Sequence, residues 1–283
     1  MKYQRPPYTF VELVELKVTD IQRSLTFYQN IIGFKVLEQS ETKALLTADG
    51  KTALLSIEQP ENITPKEPRR TGLYHFALLL PSRAELGKVL YHLVQNNIPI
   101  GASDHAVSEA LYLDDPDGNG IEIYADRPDT EWEWSNGEVK MVTEPLDGQG
   151  VLASANGEKW TGLPEGTVMG HIHMHVSELA KTEEYYTKGL GFDVVTRYGG
   201  MALFISTGGY HHHIGLNTWN GVGAPAPSEN SAGIKRFTLV LPTENALQTT
   251  IENLKKIGAY VQEEDGVVVT KDPSDNKIKL VVA

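Results

Sequence analysis

Nine histidines and no cysteine stand among the 283 residues, and the histidines cluster. His171, His173 and His175 follow one another at two-residue steps, the spacing that places side chains on one face of a β-strand. His211, His212 and His213 form a triplet inside a β-like run, where alternation sends His211 and His213 to one face and His212 to the other. An imidazole titrates near neutrality, so such clusters suit proton transfer as well as metal ligation. The lack of thiols excludes disulfides, thiolate nucleophiles, iron-sulfur clusters and Cys-type zinc sites together. Any metal must therefore be held by imidazole and carboxylate. Asp115-Pro116-Asp117-Gly118-Asn119-Gly120 has the look of a calcium loop, but it lacks the following Glu at EF-hand spacing and returns as Asp272-Pro273-Ser274-Asp275-Asn276, so it reads as a turn before a strand. No phosphate-binding glycine fingerprint and no Ser-His-Asp hydrolase signature stands out.

These residues must be positioned by elements, and the elements repeat. Val18-Thr19-Asp20, Phe27-Tyr28 and Gly33-Phe34 return as Val176-Ser177-Glu178, Tyr185-Tyr186 and Gly191-Phe192, each offset by 158 residues. A second unit, marked by Gly72, Phe76, Leu80-Pro81, Leu86 and Leu93, recurs as Gly233, Phe237, Leu241-Pro242, Leu247 and Leu254 at an offset of 161. Pro116, Asn119 and Ile121 map to Pro273, Asn276 and Ile278 at 157, which makes a loop of the last copy four residues shorter. The chain thus reads as four modules in A-B-A-B order, 8–60, 70–127, 167–220 and 231–283, numbered one to four below. Each opens with alternating apolar residues that suit a strand. Leu86, Val89, Leu90 and Leu93 then step at helical spacing behind Pro81-Ser82, and short β-rich runs split by Gly, Asp and Asn turns follow. The expected fold class is α+β, built of four βαβββ modules in two domains, 8–127 and 167–283. The segment 128–166 has no period and holds Trp132, Trp134 and Trp160, so it is expected to pack as a cover.

Composition narrows the partners. With 40% hydrophobic and 22% charged residues and a mean hydropathy of −0.28, the sequence is that of a globular chain without a run of about 20 apolar residues for a membrane helix. A formal charge of −12 and no basic tract argue against nucleic acid and anionic membranes as partners. Residues 1–7 carry no apolar run and no small-residue cleavage site, so the cytoplasm is the expected compartment.

A repeated β-α-β-β-β unit with "V-x-D…FY…(L/I)-G-F" and a terminal "DP-x-G-N-x-I-E-I" resembles the vicinal oxygen chelate superfamily of glyoxalase I, fosfomycin and bleomycin resistance proteins and extradiol dioxygenases. The four-module length and the segments "SDHAVSEALYLDDPDGNGIEIYADRP" and "GGYHHHIGLN" are similar to its bacterial catechol 2,3-dioxygenase branch. The resemblance implies paired modules forming cupped half-barrels, with a metal on first and last strands. Its first-strand ligand slot in A-type modules falls on His171 in module three and Leu13 in module one, with His173 the fallback. In B-type modules the two slots fall on His75 and Glu122 in module two, and on Arg236 and Lys279 in module four. Both of the latter stay cationic and offer no lone pair. The implied metal ligands are therefore His75, Glu122 and His171, a set with open positions that suits non-haem Fe(II), with Mn(II) the alternative.

The same resemblance implies His213 as acid-base residue and Tyr112 as a hydrogen-bonding partner of substrate, and places His105 in a segment that faces substrate. It implies extradiol cleavage of a small aromatic diol with O2, and the sequence leaves a monomer and a homo-oligomer both open. Rival readings are a glyoxalase I-like isomerase, which would want Glu or Gln where His213 stands, a hydroquinone-cleaving relative, and a non-catalytic protein that sequesters a small molecule. Because the surviving ligands lie in modules two and three, those two must share a cup, within one chain or between subunits, and modules one and four form a metal-free partner.

Overall fold

The β-α-β-β-β order occurs four times in a computed structural model that describes residues 1–283. Module one runs β1 (Phe10–Lys17), α1 (Ile21–Phe27), β2 (Lys35–Gln39), β3 (Lys43–Thr47) and β4 (Ala53–Glu58); module two runs β5 (Gly72–Leu79), α2 (Arg83–Gln95), β6 (Gly101–Asp104), β7 (Ser108–Asp114) and β8 (Gly120–Asp126). The connection holds a two-residue hairpin, β9 (Trp134–Ser135) and β10 (Glu138–Val139), and α3 (Gly148–Ser154). Module three runs β11 (Val168–His175), α4 (Leu179–Glu184), β12 (Asp193–Tyr198), β13 (Ala202–Ser206) and β14 (Ile214–Asn217); module four runs β15 (Gly233–Leu241), α5 (Glu244–Lys256), β16 (Val261–Glu264), β17 (Val267–Lys271) and β18 (Lys277–Val282). Helices start where a short polar side chain can satisfy free backbone N–H groups. Asp20 accepts from Gln22 and Arg23, Ser82 from Glu85, and Thr243 from Ala246. The apolar stripe Leu86, Val89, Leu90 and Leu93 of α2 is buried against the sheet, as its spacing requires.

Two eight-stranded sheets result, in the orders β16-β17-β18-β15-β1-β4-β3-β2 and β12-β13-β14-β11-β5-β8-β7-β6. In each, the first strands of two modules pair antiparallel at the centre, and each of them also pairs in parallel with the last strand of its own module. The sheets cut across the contiguous stretches 8–127 and 167–283: one joins modules one and four, the other modules two and three. That is the pairing the ligand positions call for, and it occurs within one chain. The contiguous stretches are tied at another level. Tyr28, just after α1, donates its hydroxyl to Asp115 at 2.8 Å, and its repeat counterpart Tyr186 donates to Asp272 at 3.2 Å. Both carboxylates also accept backbone N–H groups of the turns that look like calcium loops, so these are turns anchored by tyrosines from the preceding module.

The connecting segment splits its work. Trp132 and Val139 are buried with Tyr3, Tyr210 and Val195 inside the sheet of modules two and three, and Met141, Val142 and Thr143 line its cavity. The second half packs behind α2, where a Cβ on Gly87 would run into the Val151 carbonyl. Trp160 lies there too, stacked on His92 with ring centroids 3.5 Å apart, and Trp134 is 40% exposed. The three tryptophans thus do not cover the cup together as expected; Trp132 alone is buried beside it, and Met141, Val142 and Thr143 are the connection residues that line the cavity. No helix is long and apolar enough to cross a membrane.

Candidate metal centre

The geometry of the candidate site follows from three neighbouring strands. β5 stands between β11 and β8, with Ala77 opposite His171 on one side and Glu122 on the other, while His75 lies two residues back on the same face. A bulge between Met169 and His171 leaves Gly170 unpaired, and a Cβ on Gly170 would run into the Tyr124 hydroxyl. Glycine there lets the Tyr124 ring close behind His171, with centroids 4.9 Å apart.

His75, Glu122 and His171 are all buried, and their candidate ligand atoms lie within 4.8 Å of one another. Nε2 of His75 and Nε2 of His171 each stand 3.0 Å from the same Glu122 Oε2. Donor atoms bound ~2.1 Å from one ion at right angles sit about 3 Å apart, so this spacing suits a shared cation. The His75 contact is off the line of a hydrogen bond, and its buried Nε2 has no partner. An orphaned buried imidazole nitrogen beside a carboxylate oxygen is costly without a ligand and useful with one. Burial alone would push the Glu122 carboxyl up, but His171 and His75 hold it well below the usual carboxylate range. Burial lowers His171, against the pull of Glu122, so its neutral, ligating form is favoured.

A cavity of about 360 Å³ opens onto His75 and Glu122, with His171 buried beside them. Glu122 is its only carboxylate, and no Lys or Arg is among its lining residues. Its walls are largely apolar, with Val107, Met141, Phe204, Tyr74 and Trp219 among them. Tyr112, opposite Glu122 across β7 and β8, reaches the cavity together with His105. The Val142 carbonyl lies 2.6 Å from His105 Nδ1 and must accept from it, so the other ring nitrogen, Nε2, accepts from the Tyr112 hydroxyl at 2.6 Å. Burial, then the Glu122 charge, pushes the Tyr112 hydroxyl well above its usual range and keeps it a donor.

The structure does not bring His213 to this cavity. Its Nε2 lies 3.0 Å from the Tyr3 carbonyl, and its Nδ1 accepts from the Thr207 backbone N–H at 3.3 Å. It is fully buried behind the amino-terminal segment, and burial pulls its pKa down to about 3. His212 lines the cavity instead, its ring 4.1 Å from that of His171. Strand alternation misplaces the triplet because residues 208–213 are not a strand. Gly208 and Gly209 take φ of 66° and 74°, and β14 begins only at Ile214. The paired glycines in "GGYHHH" are the sequence signal for that turn. His212 continues outward to His211, Nδ1 to Nδ1 at 2.8 Å, and His211 Nε2 meets Asp126 at 2.8 Å. His173, the fallback ligand, lines the cavity outside the converging trio.

The profile of the Glyoxalase/Bleomycin resistance protein/Dioxygenase superfamily matches the chain twice, over residues 11–123 and 168–280. Catechol-2,3-dioxygenase of Bacillus subtilis strain 168 is 48% identical over 268 residues, which cover 94% of this chain and 94% of that protein. Among solved structures, one from Bacillus subtilis subsp. subtilis strain 168 superposes with a TM-score of 0.67 at 13% identity, over 96% of this chain and 84% of its own. Glyoxalase I from Zea mays superposes with a TM-score of 0.60 at 14% identity, over 97% and 92%. At those identities the two structures speak for the fold alone.

Proposed function

The chain belongs to the Glyoxalase/Bleomycin resistance protein/Dioxygenase superfamily, and from that premise we propose that it opens a catechol ring with O2 on the extradiol side, at one Fe(II) ion held by His75, Glu122 and His171. The observation that carries this reading is the convergence of the three donors beside an apolar cavity that His75 and Glu122 line, with an imidazole nitrogen left without a partner. When bound, such an ion supplies a redox-capable Lewis acid with open positions for a chelating diol and for O2. Mn(II) satisfies the same donors.

The protein's own part is positioning, proton handling and exclusion of water. Val107, Met141, Phe204 and Trp219 flank a flat ring and keep the floor dry. The Tyr112 hydroxyl can turn from His105 to an oxygen of the diol, and the freed His105 Nε2 can then take up a proton. The lack of a cationic side chain in the lining favours catechols with apolar substituents or none over carboxylated ones. An isomerase that uses a second carboxylate as base finds none here.

Oxygen uptake with catechol by anaerobically Fe(II)-loaded protein, with formation of a yellow ring-fission product, tests the reading. Thiol-dependent consumption of methylglyoxal without oxygen uptake would replace it with the isomerase.

A further inference from the structure

His173 stands on the cavity wall without belonging to the converging trio, and its surroundings determine which of its nitrogens carries the proton. Asn217, the last residue of β14, is fully buried and pairs with His175 across the parallel β11–β14 ladder. The backbone N–H of Trp219 donates to Asn217 Oδ1 at 3.0 Å. A main-chain N–H can only donate, so the atom it meets is the amide oxygen and the orientation of the amide is fixed. The other end of the amide, Nδ2, then points at His173 Nε2, 2.9 Å away. An amide nitrogen also only donates, so His173 Nε2 must be the bare, accepting nitrogen, and the ring is neutral with its proton on Nδ1. His175 completes the chain by donating from its own Nδ1 to Asn217 Oδ1 at 2.7 Å.

The ring has little freedom to escape this assignment. It is edge-on to Tyr74 at 5.1 Å and packs against Trp219 at 5.2 Å and Phe204 at 5.5 Å. Beneath it lies Gly215, where a Cβ would stand 2.7 Å from His173 Cγ, so only glycine leaves room for the ring. The His173 and His75 ring centroids are 5.1 Å apart on the cavity wall, and the His173 Nδ1 has no partner within the protein.

We propose that His173 is a substrate-contacting hydrogen-bond donor, its Nδ1–H held ready by Asn217 for an oxygen of the bound diol. Asn217 is the positioning residue that sets the tautomer. The inference rests on the reading of the cavity as a diol site and adds to it a third polar contact, beyond the metal trio and the Tyr112–His105 pair. A donor whose proton is fixed before substrate arrives loses little freedom on binding, and it recognises an oxygen while rejecting a competing N–H.

The test uses anaerobic titration of the Fe(II)-loaded protein with 4-nitrocatechol, alongside 15N spectra of histidine-labelled, metal-stripped protein. His173→Leu should weaken 4-nitrocatechol binding by about tenfold or more at full metal content, the scale of one hydrogen bond to a charged or strongly polar oxygen. His173→Asn should stay within roughly threefold, because an Asn amide nitrogen falls near the imidazole Nδ1 position and still donates. Asn217→Asp keeps an acceptor for Trp219 and His175 but can only accept from His173; it should move the His173 proton from Nδ1 to Nε2 in the 15N spectrum and weaken binding as His173→Leu does. A wild-type spectrum with the proton on Nε2, unchanged binding by His173→Leu, or loss of metal in that variant would each overturn the inference, the last by making His173 a ligand. Failure of the wild-type protein to bind 4-nitrocatechol at all defeats the reading of the cavity itself, and the inference with it.

Discussion

The sheet of modules two and three and the sheet of modules one and four have the same strand order and the same register at their centres, yet only one of them has the makings of a metal site. Ala77 stands between His171 and Glu122; its counterpart Thr238 stands between Leu13 and Lys279. His75 faces His173 across the central pair, and their counterparts Arg236 and Glu15 face each other in the same way. The difference lies in how charge is closed. Arg236 Nε donates to Glu15 Oε1 at 2.6 Å, and Lys279 offsets the half-buried Glu12, so that sheet balances its interior with its own side chains. In the other sheet one buried carboxylate faces the rings of His75 and His171, burial favours the neutral form of His171, and a ring nitrogen of His75 is left without a partner. The proposed divalent cation would complete the second interior and would have no role in the first. The same strands and register can thus hold either an ion pair or a set of candidate metal ligands.

The comparison breaks most visibly by removing ligands. His75→Ala, Glu122→Gln and His171→Ala should each reduce bound iron from about one per chain to near none, with ring cleavage falling by several orders of magnitude and the circular dichroism unchanged. Metal analysis of the purified variants checks this, and full iron in a folded His75→Ala protein would sink the ligand assignment. Arg236→Ala should do the reverse. It strands Glu15, a buried carboxylate, and should lower stability by about 3–5 kcal/mol in urea titrations while leaving iron content intact. Equal iron loss in both sets of variants would erase the distinction between the sheets.

Acid should act with opposite sign on different buried groups. Burial lowers His213 to about 3 and His175 to about 4 from an ordinary value of 6.5. Below pH 6.5 the unfolded chain takes up protons that these folded histidines refuse, so stability present above that pH is lost as pH falls toward 3. Each such group contributes a slope of about 1.4 kcal/mol per pH unit. Asp272, in module four, behaves oppositely: burial raises it from 3.8 to about 6, so the folded chain gains protons first and stability increases as pH falls through that window. Urea midpoints between pH 7 and pH 4 should therefore fall for the wild type, less steeply for His213→Leu and more steeply for Asp272→Asn. A His213→Leu slope equal to that of the wild type would mean that His213 is not buried neutral.

How much of this was legible in the residues depends on the distance over which each signal acts. The offsets of 158, 161 and 157 carry the module order, the slots at His75, Glu122 and His171 and the filled slots at Leu13, Arg236 and Lys279, because a repeat preserves strand register. The pairing of modules two and three follows, since three ligands cannot serve one ion from separate sheets. The triplet at 211–213 was misread because alternation holds only on a strand, and two glycines at positive φ end it before Tyr210. Trp160 and Trp132 look alike in sequence, and only tertiary packing sends one behind α2 and the other into the cup. The tautomer of His173 depends on a backbone N–H two residues past Asn217, in a strand that pairs only after folding, so no spacing rule reaches it.

The smallest effect expected in the comparison concerns Tyr112. Its counterpart by the repeat is Val269, buried in the sheet of modules one and four, so that sheet has lost the polar wall along with the ligands. Tyr112→Phe keeps the ring and its packing while removing one neutral hydrogen bond, a contribution of about 0.5–1.5 kcal/mol. The Val142 carbonyl still fixes His105 in the same tautomer, so His105 Nε2 remains an acceptor and only the donor to the diol is gone. The KM for catechol should therefore rise roughly threefold to tenfold, with iron content and urea midpoint unchanged. Steady-state oxygen uptake checks it: a drop in kcat at constant KM would give Tyr112 a part in proton transfer rather than in orienting substrate. No change in either would remove Tyr112 from the functional differences between the two sheets.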